Sequence, residues 1–307
     1  MARYIRIKTR GGPRLVNLEV TKLCNAQCDF CACWTIKGYP QLKDYGPVMK
    51  KLNPIVLSLN GGEPLLRKDF VDIVRQVRPH CSYLCMVTHG QLLTEEKVEA
   101  LWEAGMDQIS VSCNYIGEEH DKERKLPGLF KHFQNLIPKM VARGFDFFAF
   151  NTVIMDRNLD QIIPLAKLAK EWGIKIAFSS YNKLKTNKDE YLVRPEQMGE
   201  LEGVIAQLLE LKKTQKNILS SEYYLKKVPG YFQQGAVADC QAGISFVQVT
   251  PDGYIQRCAE MPKMCHWTEY DPKKVERPNP CDICWFACRG ESEQPITPGR
   301  VWELAFG

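Results

Sequence analysis

Residues 54–64 read PIVLSLNGGEP, an aliphatic, β-branched run halted by two glycines and a proline. A run this short, bounded by turn formers, predicts a strand over 54–60 whose tip is NGGEP (60–64). The next segment, KDFVDIVRQVR (68–78), has helical patterning, and SYLCMVT (82–88) returns to strand. This unit repeats outward in both directions. RLVNLEV (14–20) precedes it; QISVSCN (108–114), FFAFNTVIM (147–155) and IKIAFSS (174–180) follow. Between them TEEKVEALWEAG (94–105), GLFKHFQNLIPKMVARG (128–144) and LDQIIPLAKLAKEWG (159–173) carry helix start and stop residues. Six strands interleaved with helices predict an α/β fold with a parallel sheet covered by helices. Ligands in such folds gather at the C-terminal strand ends, which directs attention to TKLCNAQC, NGGEP, THG, SCN, MDRN and SSYN.

After Tyr181 the rhythm breaks. NKLKTNKDEYLVRPEQ (182–197) is polar and linker-like, and RPEQMGELEGVIAQLLELKKTQKN (194–217) reads as one helix with a proline near its first turn. From about 235 the chain is rich in cysteine, proline and tryptophan, with only a short hairpin signal in SFVQVTPDGYIQRC. The expected organisation is a core over 1–182, a linker with helices over 183–234, and a small cysteine-rich α+β domain over 235–307, tied by a metal site.

Composition excludes several classes. Of the 307 residues 45% are hydrophobic and 25% charged, ordinary for a globular chain. No run approaches eighteen apolar residues, and MARYIRIKTRGGPR carries charges where a signal peptide needs an apolar segment, so no membrane span and a cytoplasmic location are expected. The net charge of +5 is scattered along the chain and gives no support for nucleic-acid binding. Thirteen cysteines in a reducing compartment point to metal, cluster or redox chemistry rather than disulfides. They form two groups, Cys24, Cys28, Cys31 and Cys33 near the start, and Cys240, Cys258, Cys265, Cys281, Cys284 and Cys288 near the end. Cys81, Cys85 and Cys113 fall in apolar strand patterns and read as small buried hydrophobes. His89 and His120, near strand tips, read as ligands, bases or satisfied structural residues.

The spacing C-x3-C-x2-C of Cys24, Cys28 and Cys31 suits three irons of a cubane cluster and leaves the fourth iron open. Zinc would need a further ligand, and Cys33 is too close in sequence to Cys31 to be an obvious tetrahedral partner. CNAQCDFC, with Phe30 before the third cysteine, resembles the signature loop of the radical S-adenosylmethionine enzymes, and NGGEP at the next strand tip resembles that family's second motif. VTHG (87–90) and ISVSCNYIGEEHDKERKLPGLFKHF continue the resemblance, which covers about 15–182 and implies a partial (β/α)6, TIM-like barrel. It further implies that Cys24, Cys28 and Cys31 bind a catalytic [4Fe-4S] cluster whose open iron takes S-adenosylmethionine. Gly61 and Gly62 would let the backbone approach the methionine amine, with the charge of Glu63 nearby. Ser112 and Arg124 would serve the carboxylate or ribose, Thr88 the ribose, and Asn151 and Ser179 the ribose or adenine edge. Relatives commonly carry Asp where this chain has Asn114, so a charge present in many of them is absent.

The pattern C-x12-G-x4-C from Cys240 to Cys258, followed by CDIC at 281–284, resembles the SPASM/twitch auxiliary-cluster domains of the same superfamily. It implies a second [4Fe-4S] cluster held by Cys240, Cys258, Cys281 and Cys284, with Cys288 or Cys265 as alternative ligands; a zinc ribbon is the competing reading. The implied activity is reductive cleavage of S-adenosylmethionine to a 5′-deoxyadenosyl radical that abstracts hydrogen from an unactivated C–H bond. The auxiliary cluster would aid oxidation or bond formation, and a flavodoxin- or ferredoxin-type donor would supply electrons. With about fourteen residues before the first strand, no N-terminal peptide-recognition domain is expected and a small-molecule substrate is favoured. Cross-linking or epimerisation of a ribosomal peptide is the alternative, and a non-catalytic iron–sulfur or zinc protein is the alternative of another class.

Overall fold

The structure, a computed structural model, describes residues 11–295 together with Arg3, Arg6, Ile7 and Thr9. Residues 296–307 of the expected C-terminal domain lie outside the described residues. The six expected strands are present as β1 (Leu15–Thr21), β2 (Val56–Gly61), β3 (Tyr83–Thr88), β4 (Gln108–Ser112), β5 (Phe148–Ile154) and β6 (Lys175–Ser180). They pair in parallel in sequence order. Their covering helices are α1 (Gly46–Leu52), α2 (Phe70–Val77), α3 (Glu95–Glu103), α4 (Glu118–Arg124), α5 (Leu129–Ala142) and α6 (Leu159–Glu171).

Alternation along the strands divides two environments. Leu57, Leu59, Leu84, Met86, Ile109 and Val111 point outward and are fully buried in one cluster with Ile73, Val74, Val98, Leu101, Phe133 and Ile137 of the helices. Each such side chain removed from water contributes about 1.5–3 kcal/mol, which is what fastens helix to sheet. The inward positions are polar or small: Asn17, Ser58, Cys85 and Gln108 stand in one register row, and Ser112 faces Asn151 in another.

Helices α7 (Met198–Gln215) and α8 (Glu222–Gln234) follow β6. Ser221 caps α8 by accepting from Tyr224 N–H at 3.1 Å. The helix docks through its tyrosines: Tyr224 Oη accepts from Ser180 N–H at 2.7 Å, and Tyr231 Oη donates to Tyr181 O at 2.9 Å. Strand β7 (Phe246–Val249) then pairs in parallel with β1, and β8 (Tyr254–Gln256) and β9 (Lys263–His266) extend it antiparallel. One nine-stranded sheet results, ordered β6-β5-β4-β3-β2-β1-β7-β8-β9, and it runs through the expected boundaries at 182 and 235. A last helix, α9 (Ala287–Glu293), packs near α8 and β7.

The segment over 182–197 is not a free linker. It folds back with Tyr191 and Val193 buried, and Lys188 Nζ donates to Asp29 O at 2.9 Å. Its polarity misleads because Lys185 and Lys188, while keeping part of their side chains in water, reach the first cysteine loop at Cys33 Sγ and Asp29 O.

Candidate active site

At the C-terminal ends of β1 to β4 lies a cavity of about 150 Å³, lined by Cys24, Cys28, Cys31 and Cys33, the β2 tip Asn60 to Gly62, Thr88, Ser112 and Arg124. The loop after β1 is shaped from within: Cys31 N–H donates to Cys28 O at 3.2 Å, and the Trp34 side chain donates through Nε1 to the same oxygen at 3.2 Å. Burial pushes the Cys24 thiol up to about 11 and raises Cys28, whose rise the Arg124 charge opposes. Cys31 goes the other way, down to about 6, because Cys33 hydrogen-bonds it and the Lys185 ammonium stands close. The same bond raises Cys33. Among the described residues no three His, Cys, Asp or Glu side chains converge on a point that would hold a single metal ion. The three spaced thiols are instead arrayed around a cavity, with two cations beside them, a donor set suited to an anionic thiolate-bound cluster.

The β2 tip meets this loop backbone to backbone. Gly62 N–H donates to Thr21 O at 2.9 Å and Glu63 N–H to Leu23 O at 2.7 Å. A Cβ on Gly61 would stand 2.2 Å from Thr21 O, and one on Gly62 2.2 Å from Leu23 O, so both glycines are demanded by the cysteine loop itself. Gly61 also has φ +146°, which only glycine adopts without strain.

Glu63 is fully buried and its oxygens are already engaged. They accept from Thr88 Oγ1 at 2.6 Å, Leu65 N–H at 3.1 Å and His89 N–H at 2.8 Å, and His89 Nε2 lies 3.3 Å away. It therefore ties the tips of β2 and β3 together and does not line the cavity. Thr88 lines it while donating to Glu63, and His89 Nε2 bonds Asn25 Oδ1 at 2.8 Å.

Arg124, at the end of α4, reaches the cavity from the opposite side: Nη1 lies 3.7 Å from Cys28 Sγ, and the guanidinium sits 5.1 Å from the Phe30 ring centroid. Asn151 and Ser179 lie outside the lining; Asn151 faces Ser112 across the sheet, and Ser179 Oγ accepts from Ala287 N–H at 3.3 Å. Lining residues that sequence reasoning did not select are Ala26, Cys33, Trp34, Asn60 and Val87; His89, read there as a ligand, base or structural residue, also lines it. Asn60 and Val87 had a signal in strand alternation, since they share a face with Ser58 and Cys85.

In the C-terminal group, the charges of Cys240, Cys258, Cys281 and Cys284 act on one another, which places them together. Burial pushes Cys258 up to about 11 and Cys284 up to about 12. Cys288 joins them: burial and then the charges of Cys284 and Cys258 raise it, and Asn17 of β1 hydrogen-bonds it. Cys265 stands apart on β9, with Glu269 and Lys51 as its charged neighbours. Arg289, fully buried, braces the group by donating to Cys284 O at 2.7 Å and to Val237 O and Ala238 O. A charged bridge spans the two groups: Lys185 Nζ is 3.5 Å from Cys33 Sγ and 4.0 Å from Glu260 Oε1, two residues beyond Cys258.

Fold and cavity together define the class, an α/β partial barrel with a thiol-lined ligand site at its strand tips. Residues 18–169 match the model of the Radical SAM superfamily, and the chain belongs to that superfamily of enzymes. It is 35% identical over 176 residues to an AdoMet-dependent heme synthase of Methanosarcina barkeri, a match covering 54% of this chain and 50% of that protein, so the chain spans about half of that relative's length. It is 26% identical over 278 residues to a GTP 3′,8-cyclase of Clostridium perfringens, covering 82% of this chain and 80% of that one. Among solved structures, Streptococcus suis SuiB bound to precursor peptide SuiA superposes with TM-score 0.69 at 15% identity, over 98% of this chain and 72% of SuiB. Methylornithine synthase gives TM-score 0.52 at 15% identity, over 92% and 82%. At these identities the structures share the fold. No helix among the described residues is long and apolar enough to cross a membrane.

Proposed function

We propose that this enzyme cleaves S-adenosylmethionine at a [4Fe-4S] cluster held by Cys24, Cys28 and Cys31 and abstracts hydrogen from a polar small molecule, with a second [4Fe-4S] cluster at Cys240, Cys258, Cys281 and Cys284 aiding oxidation or bond formation. The observation that carries it is the single cavity in which those three thiols meet the Gly61–Gly62 tip, Ser112 and Arg124. A cluster held by these cysteines would supply one electron to the sulfonium. The chain's residues do the rest: the Lys185 and Arg124 cations offset thiolate charge.

The inner face supports a small polar substrate. A closed barrel fills its interior with bulky aliphatic side chains, whereas here Ser58, Cys85, Ser110 and Ala149 follow the lining residues down the same face. These side chains are small, and the Ser58 and Ser110 hydroxyls among them can offer hydrogen bonds. The curated relatives, by name a heme synthase and a GTP cyclase, also point to small molecules. Modification of a peptide is the second reading, favoured by the extent of the superposition on peptide-bound SuiB.

Anaerobically reconstituted protein is expected to hold about eight irons per chain and, with dithionite and S-adenosylmethionine, to release 5′-deoxyadenosine. Replacing Cys24, Cys28 and Cys31 by Ala should leave about four irons and no cleavage. Bound zinc without cleavage would sink the proposal. Deuterium carried into 5′-deoxyadenosine from labelled cell extract, fractionated by size, separates a metabolite from a peptide.

A further inference from the structure

The carboxylate missing at position 114 reappears nine residues later. Asn114 is fully buried between strand and helix, and its Nδ2 donates to both oxygens of Glu123 at 3.0 Å. Its Oδ1 accepts from Val153 N–H at 2.9 Å, and its carbonyl accepts from Asn158 Nδ2 at 3.2 Å, so the amide is anchored to β5 and the start of α6. Glu123 in turn lies 3.5 Å from Arg124 Nε, with only 12% of its side chain exposed. That nitrogen is buried and has no hydrogen-bond partner among the described residues. The result is a continuous line from β5 through Asn114, Glu123 and Arg124 to the Cys28 thiol.

An amide at 114 is what this line requires. Aspartate there would present a second carboxylate to Glu123 at hydrogen-bond distance, and the two would repel. Asparagine donates instead, and its other end is fixed by the β5 backbone, so Glu123 cannot swing away. A guanidinium otherwise free to rotate about its long stem is thereby held by a buried counter-charge on one side, Phe30 on its face and Cys28 at its tip.

We infer that Glu123, oriented by Asn114, is a positioning residue that aims Arg124 into the S-adenosylmethionine site. This rests on the reading of Cys28 and Arg124 as part of that site. Glu123 does not line the cavity, so it acts through Arg124.

The test is the affinity of the reconstituted, oxidised holoprotein for S-adenosylmethionine, measured anaerobically by calorimetry, with iron content and the electron paramagnetic resonance spectrum of the reduced protein recorded alongside. Glu123→Gln should keep its iron, weaken binding about tenfold and alter the spectral change that S-adenosylmethionine produces. Asn114→Asp should weaken it as well. Because Glu123 works through its neighbour, adding Glu123→Gln to Arg124→Lys should cost no more than Arg124→Lys alone. Wild-type affinity in Glu123→Gln, or fully additive losses in the double variant, overturns the inference. A wild-type holoprotein that binds no S-adenosylmethionine overturns the reading of the site and this inference with it.

Discussion

A single atom decides what Gly62 can be. A Cβ there would meet Leu23 O at 2.2 Å and Lys22 O at 2.8 Å, both backbone atoms that cannot move unless the cysteine loop lifts off β2. Gly62→Ala is therefore expected to lower the unfolding free energy of the metal-free chain by about 2 kcal/mol or more, measured by urea titration. An unchanged midpoint would show that the loop yields freely. The reason this glycine is needed was only half legible in the sequence. The NGGEP motif marks the tip, but its pressure comes from a carbonyl some forty residues earlier in the chain, and no local pattern reports that approach. Glu63 illustrates the same limit: its charge is plain in the sequence, its three hydrogen-bond donors come from two strand tips, and only the folded chain shows them consuming it.

Among elements, α7 and the α4–β4 junction respond oppositely to change. Gly203 lies mid-helix in α7, exposed, with nothing within 4 Å of where a Cβ would stand, so Gly203→Ala should stabilise the chain by about 0.5–1 kcal/mol in the same titration. A loss would mean that α7 is packed against something at that face. At the junction, His120 is wholly buried; its Nδ1 accepts from Asn114 N–H at 3.4 Å, and its Nε2 has no hydrogen-bond partner among the described residues. Burial, and then the Arg124 charge, hold its pKa well below 6.5. The folded chain then binds fewer protons than the unfolded chain once the pH falls below 6.5, so stability is fully present above that value and declines beneath it. His89, also lowered chiefly by burial, adds to the decline. Urea midpoints of the metal-free protein should fall between about pH 6.5 and 5, and His120→Leu should lessen the slope even though it loses the bond to Asn114. Equal slopes would remove His120 from the account. Six strands and the four longer helices between them were readable because each carries its own period; the seven-residue α1 and α4 are too short to show one, and α8 was missed because Pro229 and Gly230 break its pattern and its place is set by Tyr224 and Tyr231 reaching β6.

At the scale of the molecule, the pairing of β7 with β1 matters most, and nothing in the sequence announces it. Parallel strands carry no turn between them, and about 225 residues separate these two, so the hairpin signal at 246–256 identified the strands without their partner. The consequence is that the C-terminal segment completes the sheet of the barrel. Asn17 stands opposite Gln248, Arg14 Nη1 donates to Ser292 O at 3.0 Å, and Trp285 stacks on Tyr224 with ring centroids 5.9 Å apart while donating to its carbonyl. With the core continuous from β6 to β8, the metal-free chain should unfold in one transition, with circular dichroism and tryptophan fluorescence superimposing across a urea series. Ending the chain at Gln234 would strip β7 from β1 and leave β1 as an apolar edge with unpaired amides, a template for association. Such a truncated chain should aggregate or show a markedly lower midpoint, whereas a soluble fragment with the parent's midpoint and a second, separate transition in the full chain would establish two independent folding units.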